Sequence, residues 1–380
     1  MFRYLFLLIC LGLVIGDEWK MTEIDGITTL IGLDSMGKDK VRAAIGENGK
    51  GCGYLTSDNG CETSKKYVPS GGALNMDIAI DSENFGVMVG MSKIYVKESG
   101  STEFVATGSQ IRCSAQSVSR FLSGPGKIGV PGYVTDSEGA KNGVAVTLDS
   151  GKTWLGYDTG RNSSLYPSRY AAFPTDTTWF VSAGTWPMTE EEEEKVSQGH
   201  RRYSSRFTAQ ANENKGSPLH KLHTNSKKLK SEGSGYYGSV MKTTDGGKTW
   251  SEVLNTQEEY YFNAISCSDE NNCVTVAESG ETAVGYRTTD GGATWTMVLT
   301  PEMAGTGLSM MAAFSVSPDE YWLGGGIPGR QGVFFHGTGD AAPIKSTLQG
   351  AYAADMNFDE GVGYAAVLGM TTCGIAVYGA

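Results

Sequence analysis

Proline is scarce in this chain, with 11 residues in 380 against 52 glycines, and no strict glycine period runs through it. That combination excludes a collagen-like rod, and an apolar content of 39% excludes a disordered chain. Positive charge is also short: 31 Lys and Arg face 42 Asp and Glu, for a formal net charge of −11. A nucleic-acid coat needs a basic surface, so no nucleic-acid partner is expected. Histidine is rarer still, with four residues. Two of them, His220 and His223 in "HKLH", would form a metal pair on a helix, but lysines flank them in a polar stretch that reads as a solvated loop. No metal or cofactor is expected. No Gly-x-Ser-x-Gly elbow, Cys/His pair or phosphate-cradling loop occurs. After residue 15 no stretch reaches the roughly 18 apolar residues of a membrane-spanning helix.

What is present starts with the N-terminus. Arg3 supplies a positive charge, Leu5 to Ile15 an apolar run, and Gly16 a small residue before Asp17 and Glu18. This is the pattern of a signal peptide over residues 1–16, and it predicts secretion. Cleavage after Gly16 would remove Cys10 and leave six of the seven cysteines, an even number suited to an oxidising compartment. Cys267 and Cys273 flank "SDENN", a hairpin turn, and are predicted to bridge it. Cys52, Cys61, Cys113 and Cys373 allow three pairings, among which spacing does not choose. Asn162-Ser163-Ser164 is a glycosylation acceptor for a secreted chain.

The rest is built on repetition. "TLDSGKTW" (147–154), "TTDGGKTW" (243–250) and "TTDGGATW" (288–295) share Thr-x-Asp-x-Gly-x-Thr-Trp. Around each, short strands rich in Val, Thr and aromatics recur four to a unit, which predicts an all-β propeller. Weaker copies keep Thr56, Asp58 and Gly60, or Glu98 and Gly100. The last unit stops after three strands, and "EWKMTEI" (18–24), with Trp19 in the place of Trp250 and Trp295, is expected to supply its fourth and close the ring. This makes seven blades over residues 17–380, with six as the alternative. A polar, charge-segregated stretch at 188–233 interrupts the fourth unit and reads as a flexible insertion.

The motif residues suit a turn between third and fourth strands. Asp149, Asp245 and Asp290 accept nearby N–H groups, while Gly151, Gly247 and Gly292 take a positive φ. Thr147, Thr243 and Thr288 end the preceding strand, and Trp154, Trp250 and Trp295 pack on a neighbouring sheet. Each Asp sits on a different blade, so no two share a substrate, and no catalytic residue is assigned. The pattern resembles the Asp-box, or bacterial neuraminidase, repeat of sialidases, sortilin-type receptors, some endoglucanases and photosystem II assembly factors. Its texture is most similar to the assembly-factor and sortilin types.

That resemblance implies a propeller but no single activity. The sialidase pattern of three converging arginines and an Arg-Ile-Pro signature is missing, since Arg42 in "KVRAAIG" has no adjacent proline. The leading expectation is a secreted, non-enzymatic binding or assembly scaffold that recognises a protein or glycan through loops opposite the Asp motifs. The alternative is a secreted glycoside hydrolase with carboxylates in the central funnel. Candidate ligand-binding residues on those loops are Tyr166, Arg169, Trp186, Tyr260, Tyr261, Glu278, Arg330 and Tyr352. Import into an algal plastid through a signal-led route is a lesser alternative, because "DEWKMTEI" follows Gly16 with no transit segment between.

Overall fold

The structure, a computed structural model, describes residues 18–47, 51–67, 75–90, 93–107, 111–187, 235–327, 330–369 and 373–379. The expected leader at 1–16 and the charged insertion at 188–233 lie outside the described residues, as do His220 and His223.

Seven small antiparallel sheets follow one another around a ring. Blade 1 spans Ile27–Met36 to Lys65–Tyr67, blade 2 Asn75–Ile80 to Val105–Ala106, and blade 3 Arg112–Ala115 to Leu155–Asp158. Blade 4 runs from Ser168–Ala172 to Ser251–Asn255, blade 5 from Tyr261–Cys267 to Thr296–Leu299, and blade 6 from Ser309–Ser317 to Ile344–Gln349. Blade 7 takes three strands from the C-terminal end, Ala351–Asp359, Val362–Gly369 and Cys373–Tyr378, and its fourth from Lys20–Glu23. Lys20 faces Val377 and Glu23 faces Gly374 in this closing pair. The six-bladed alternative is therefore set aside. One helical turn, Pro301–Ala304, is the exception to all-β structure among the described residues.

Burial explains why the strands take their places. The first three strands of a blade carry apolar runs, and segments such as Asn75–Ile80, Trp179–Thr185 and Cys273–Glu278 are buried throughout. Fourth strands are polar and outward, as in Ile344–Gln349. Aromatic side chains fill the seams between blades. Trp19 (5% exposed) stacks on Phe334 of blade 6 with centroids 4.2 Å apart and planes at 13°, and meets Trp322 edge-on at 5.7 Å. Trp250 lies 6.4 Å from Trp179, in the seam between blades 3 and 4.

The repeated motif is a hydrogen-bonded turn between third and fourth strands. In blade 4, Thr243 Oγ1 donates to Asp245 Oδ1 (2.8 Å) and accepts from the Gly247 N–H (3.0 Å). Asp245 also accepts the Thr249 N–H (2.9 Å) and hydroxyl (2.6 Å). The same bonds recur at 147–153 and 288–294. Blade 1 corrects the sequence reading by one residue: its copy is Ser57, Asn59, Cys61 and Thr63, not Thr56, Asp58 and Gly60. Ser57 Oγ donates to Asn59 Oδ1 (3.0 Å) and accepts from the Cys61 N–H (3.0 Å), while Asn59 accepts the Thr63 N–H (3.0 Å). Cys61, at φ 71°, occupies the place of Gly247 at φ 86°.

The Cys267–Cys273 disulfide is present and pairs opposing residues of the blade 5 hairpin. Cys52, Cys61, Cys113 and Cys373 are free thiols, the last three buried.

Candidate functional site

The inner strands of the seven blades surround a channel. Its end on the side of the Thr-Asp turns widens into a cavity of about 500 Å³, lined by residues of the inner strands and of the turns that follow them. The two kinds of turn share that face: the Gly246 N–H donates to Thr177 O, and the Gly291 N–H to Asn271 O. The leading sequence reading pointed to the opposite end, and only its glycosidase alternative placed carboxylates in the central funnel.

The buried Asp34 and Asp77 and the half-buried Asp355 line it beside Asp81 and Asp359, and the first three share one pattern. Each joins its own blade to the next. Asp355 Oδ2 accepts the Leu33 N–H of blade 1 (2.9 Å), Asp34 Oδ2 the Ile80 N–H of blade 2 (2.7 Å), and Asp77 Oδ2 the Val118 N–H of blade 3 (2.8 Å). The other oxygen of each takes the N–H of the following residue, Met356, Ser35 or Ile78. Gly32 makes room for this arrangement, because a Cβ there would lie 2.2 Å from Asp77 Oδ1. Arg120 adds a bond to Asp34 Oδ1 (2.9 Å) and another to the Ser35 carbonyl (3.2 Å).

Burial governs the protonation of all three. It raises Asp34 despite the opposing charge of Arg120. It raises Asp77 well above the usual carboxylate value, reinforced by Asp355. It pushes Asp355 up to about 7 against two backbone N–H bonds, with Asp34 adding to the rise. A glycosidase acid needs such a raised value. In Asp77 and Asp355, however, both oxygens already accept backbone N–H groups, so the arrangement is that of clasps between blades.

The other end of the channel holds the sequence-derived candidates. Arg169, Trp186, Tyr261 and Glu278 come together there. Ser168 pairs with Ala183 and Tyr170 with Ser182, so Arg169 is the extra residue of a β-bulge and leaves the normal alternation. Its guanidinium lies 4.9 Å from the Trp186 ring, 5.7 Å from Tyr261 and 6.0 Å from Tyr170. Trp186 and Tyr261 are 5.3 Å apart, and Tyr236, which the sequence reading did not select, stacks on Tyr261 at 6.0 Å. The Tyr261 hydroxyl donates to Glu278, a fully buried carboxylate in contact with blade 6 through Ser309 Oγ (2.6 Å) and the Met310 N–H (3.2 Å). Burial raises the Tyr170 phenol, and the neighbouring Arg169 charge moderates the rise.

The remaining candidates are dispersed. Tyr166 sits beneath the Arg161 guanidinium (4.0 Å) and edge-on to Tyr237 (5.7 Å). Tyr260 is half-buried against the seam of blades 4 and 5. Arg330 is exposed in a turn of blade 6, and Tyr352, 4% exposed, belongs to the core. Asn162 is exposed between blades 3 and 4, with its side-chain oxygen accepting the Ser164 N–H (2.8 Å). Among the described residues no three metal-ligating side chains gather, and no helix is long and apolar enough to cross a membrane.

No protein-family model and no curated protein sequence matches this chain. Solved structures do resemble it. "YCF48 bound to D1 peptide" matches with a TM-score of 0.57 at 12% identity, covering 95% of this chain and 94% of that one. YCF48 from Cyanidioschyzon merolae matches at 0.52 and 12%, covering 95% and 98%. A catalytically inactive virginiamycin B lyase from Staphylococcus aureus, solved with quinupristin, matches at 0.57 and 12%, covering 94% and 98%. At such identities the likeness is one of fold, and the fold of this chain is a seven-bladed β-propeller.

Proposed function

We propose that this chain is a binding or assembly scaffold that holds a protein segment at the channel end opposite the Thr-Asp turns. The observation that carries the reading is the convergence of Arg169, Trp186, Tyr236 and Tyr261 there. Aromatic side chains and arginine dominate the energetics of protein recognition. The structure of YCF48 bound to D1 peptide is a precedent for peptide binding by a propeller of this shape. The glycoside hydrolase reading is less well supported, because the channel carboxylates are occupied as clasps. The Asp-box resemblance belongs to the same reading, as do secretion and glycosylation at Asn162. The Cys267–Cys273 disulfide favours an oxidising compartment.

Selection of the purified protein against a random peptide library, alongside a panel of glycan ligands and substrates, tests this. Enriched peptides are expected to lose about tenfold or more in affinity with Trp186→Ala, as for an aromatic at the centre of an interface. Binding or turnover confined to glycans would replace the reading with its rival.

A further inference from the structure

Six inner strands carry a β-bulge within three residues of their start, and the extra residues there are Thr28, Met76, Arg169, Asn263, Met311 and Ala354. Blades 1, 2, 5, 6 and 7 thus build such a bulge around uncharged side chains, so the propeller itself makes no demand for a charge at this position. Arg169 is nevertheless 7% exposed, and its Nε is enclosed without a hydrogen-bond partner. Among the described residues no carboxylate pairs with it. An unpaired buried charge is costly and persists where something else selects for it. The rings of Trp186, Tyr261 and Tyr170 offset part of that cost through cation–π attraction, and the Tyr170 phenol is a hydrogen-bonding neighbour of the guanidinium, but these groups are neutral and none balances its charge.

We infer that Arg169 is the anion receptor of the proposed peptide site, taking a carboxylate of the bound peptide (an acidic side chain or a C-terminus) between Trp186 and Tyr261. The inference rests on the peptide-binding reading above. A guanidinium matches a carboxylate through two parallel N–H bonds. A single cation balances one such monoanion, whereas a phosphate group with charge near −2 would be left half neutralised. A sugar acid would also need free hydrogen-bonding groups for its hydroxyls. The Tyr261 hydroxyl and the Glu278 carboxylate are bonded to each other.

The test follows the Arg169 Nε–H and Trp186 indole N–H signals in ¹⁵N-labelled full-length protein. Three pools of random N-acetyl hexapeptides are added in turn: free C-terminus without Asp or Glu, amidated with one Asp or Glu, and amidated without either. Inorganic phosphate and N-acetylneuraminic acid form two further arms. One or both carboxylate-bearing pools should move both signals, and which of them does so identifies the source of the carboxylate. Arg169→Met should weaken this binding about tenfold or more while melting at or above the wild-type temperature, since a buried unpaired charge is gone. Arg169→Lys, which keeps the charge but not the fork, should fall between the two. Equal shifts from all three pools would overturn the receptor and leave peptide binding standing; no shift from any pool would overturn both. Preference for phosphate or the sugar acid, or an Arg169→Met protein that melts lower and binds peptides unchanged, would also overturn the receptor.

Discussion

At the scale of single residues, the same chemical group does opposite things according to its surroundings. Asp245 lies at the surface, and its pKa is lowered to about 2, first by the Thr249 hydroxyl, then by the Thr249 N–H and Thr243. A folded-state value below the unfolded one, about 3.9, means stabilisation that is full above pH 4 and lost as the pH falls through 2. Asp245→Asn is therefore expected to be less stable than wild type in urea at pH 7, with the gap closing near pH 2. A gap of constant size would refute ionisation as its cause. Blade 1 shows that an amide fits the turn, because Asn59 already occupies the place of Asp245.

At the scale of the strand, the closing segment was legible because it repeats a composition: Trp19 begins it as Trp250 and Trp295 begin theirs. Replacement of Trp19 by Ala should cost about 3–5 kcal/mol, typical for a buried tryptophan, read as a lower denaturation midpoint with an unchanged slope. A loss under about 1 kcal/mol would mean that the Lys20–Glu23 pairing alone holds the ring closed. The decayed copy in blade 1 was misread by one residue for a physical reason. Thr56, Asp58 and Gly60 imitate the motif's letters, but Ser57 is the buried residue (2% exposed) at the strand end, as Thr243 is in blade 4 (2%). The hydrogen bonds follow burial, not spelling. The bulges were invisible in sequence, since an extra residue in one strand shows only against its partner.

At the scale of the ring, neighbouring blades are joined by seam aromatics and by carboxylates that receive the next blade's backbone. Asp355, raised to about 7 by burial, with Asp34 adding to the rise against two N–H bonds, opposes folding when ionised. Its folded value exceeds the unfolded one, so its contribution is neutral below about pH 4, becomes less favourable as the pH rises through 7, and is constant above that. Asp355→Asn should flatten that part of the stability profile in a denaturant series from pH 4 to 8. An unchanged slope would show that another group, such as Asp77, carries it.

The sequence by itself determined the all-β class, the seven repeats, the turn chemistry, the hairpin disulfide and the strand that closes the ring. These are local patterns, written in strand periodicity and in residues close together along the chain. Only the tertiary structure decided which distant residues meet: Leu33 with Asp355, Val118 with Asp77, Arg169 with Tyr261. Their encounter depends on ring closure and on bulges that turn a side chain out of its alternation, and neither leaves a periodic trace. The fold was therefore readable from the repeats; the loops also offered Arg169, Trp186, Tyr261 and Glu278 as candidates, but that these four meet and Tyr166, Tyr260, Arg330 and Tyr352 do not was decided where the blades converge.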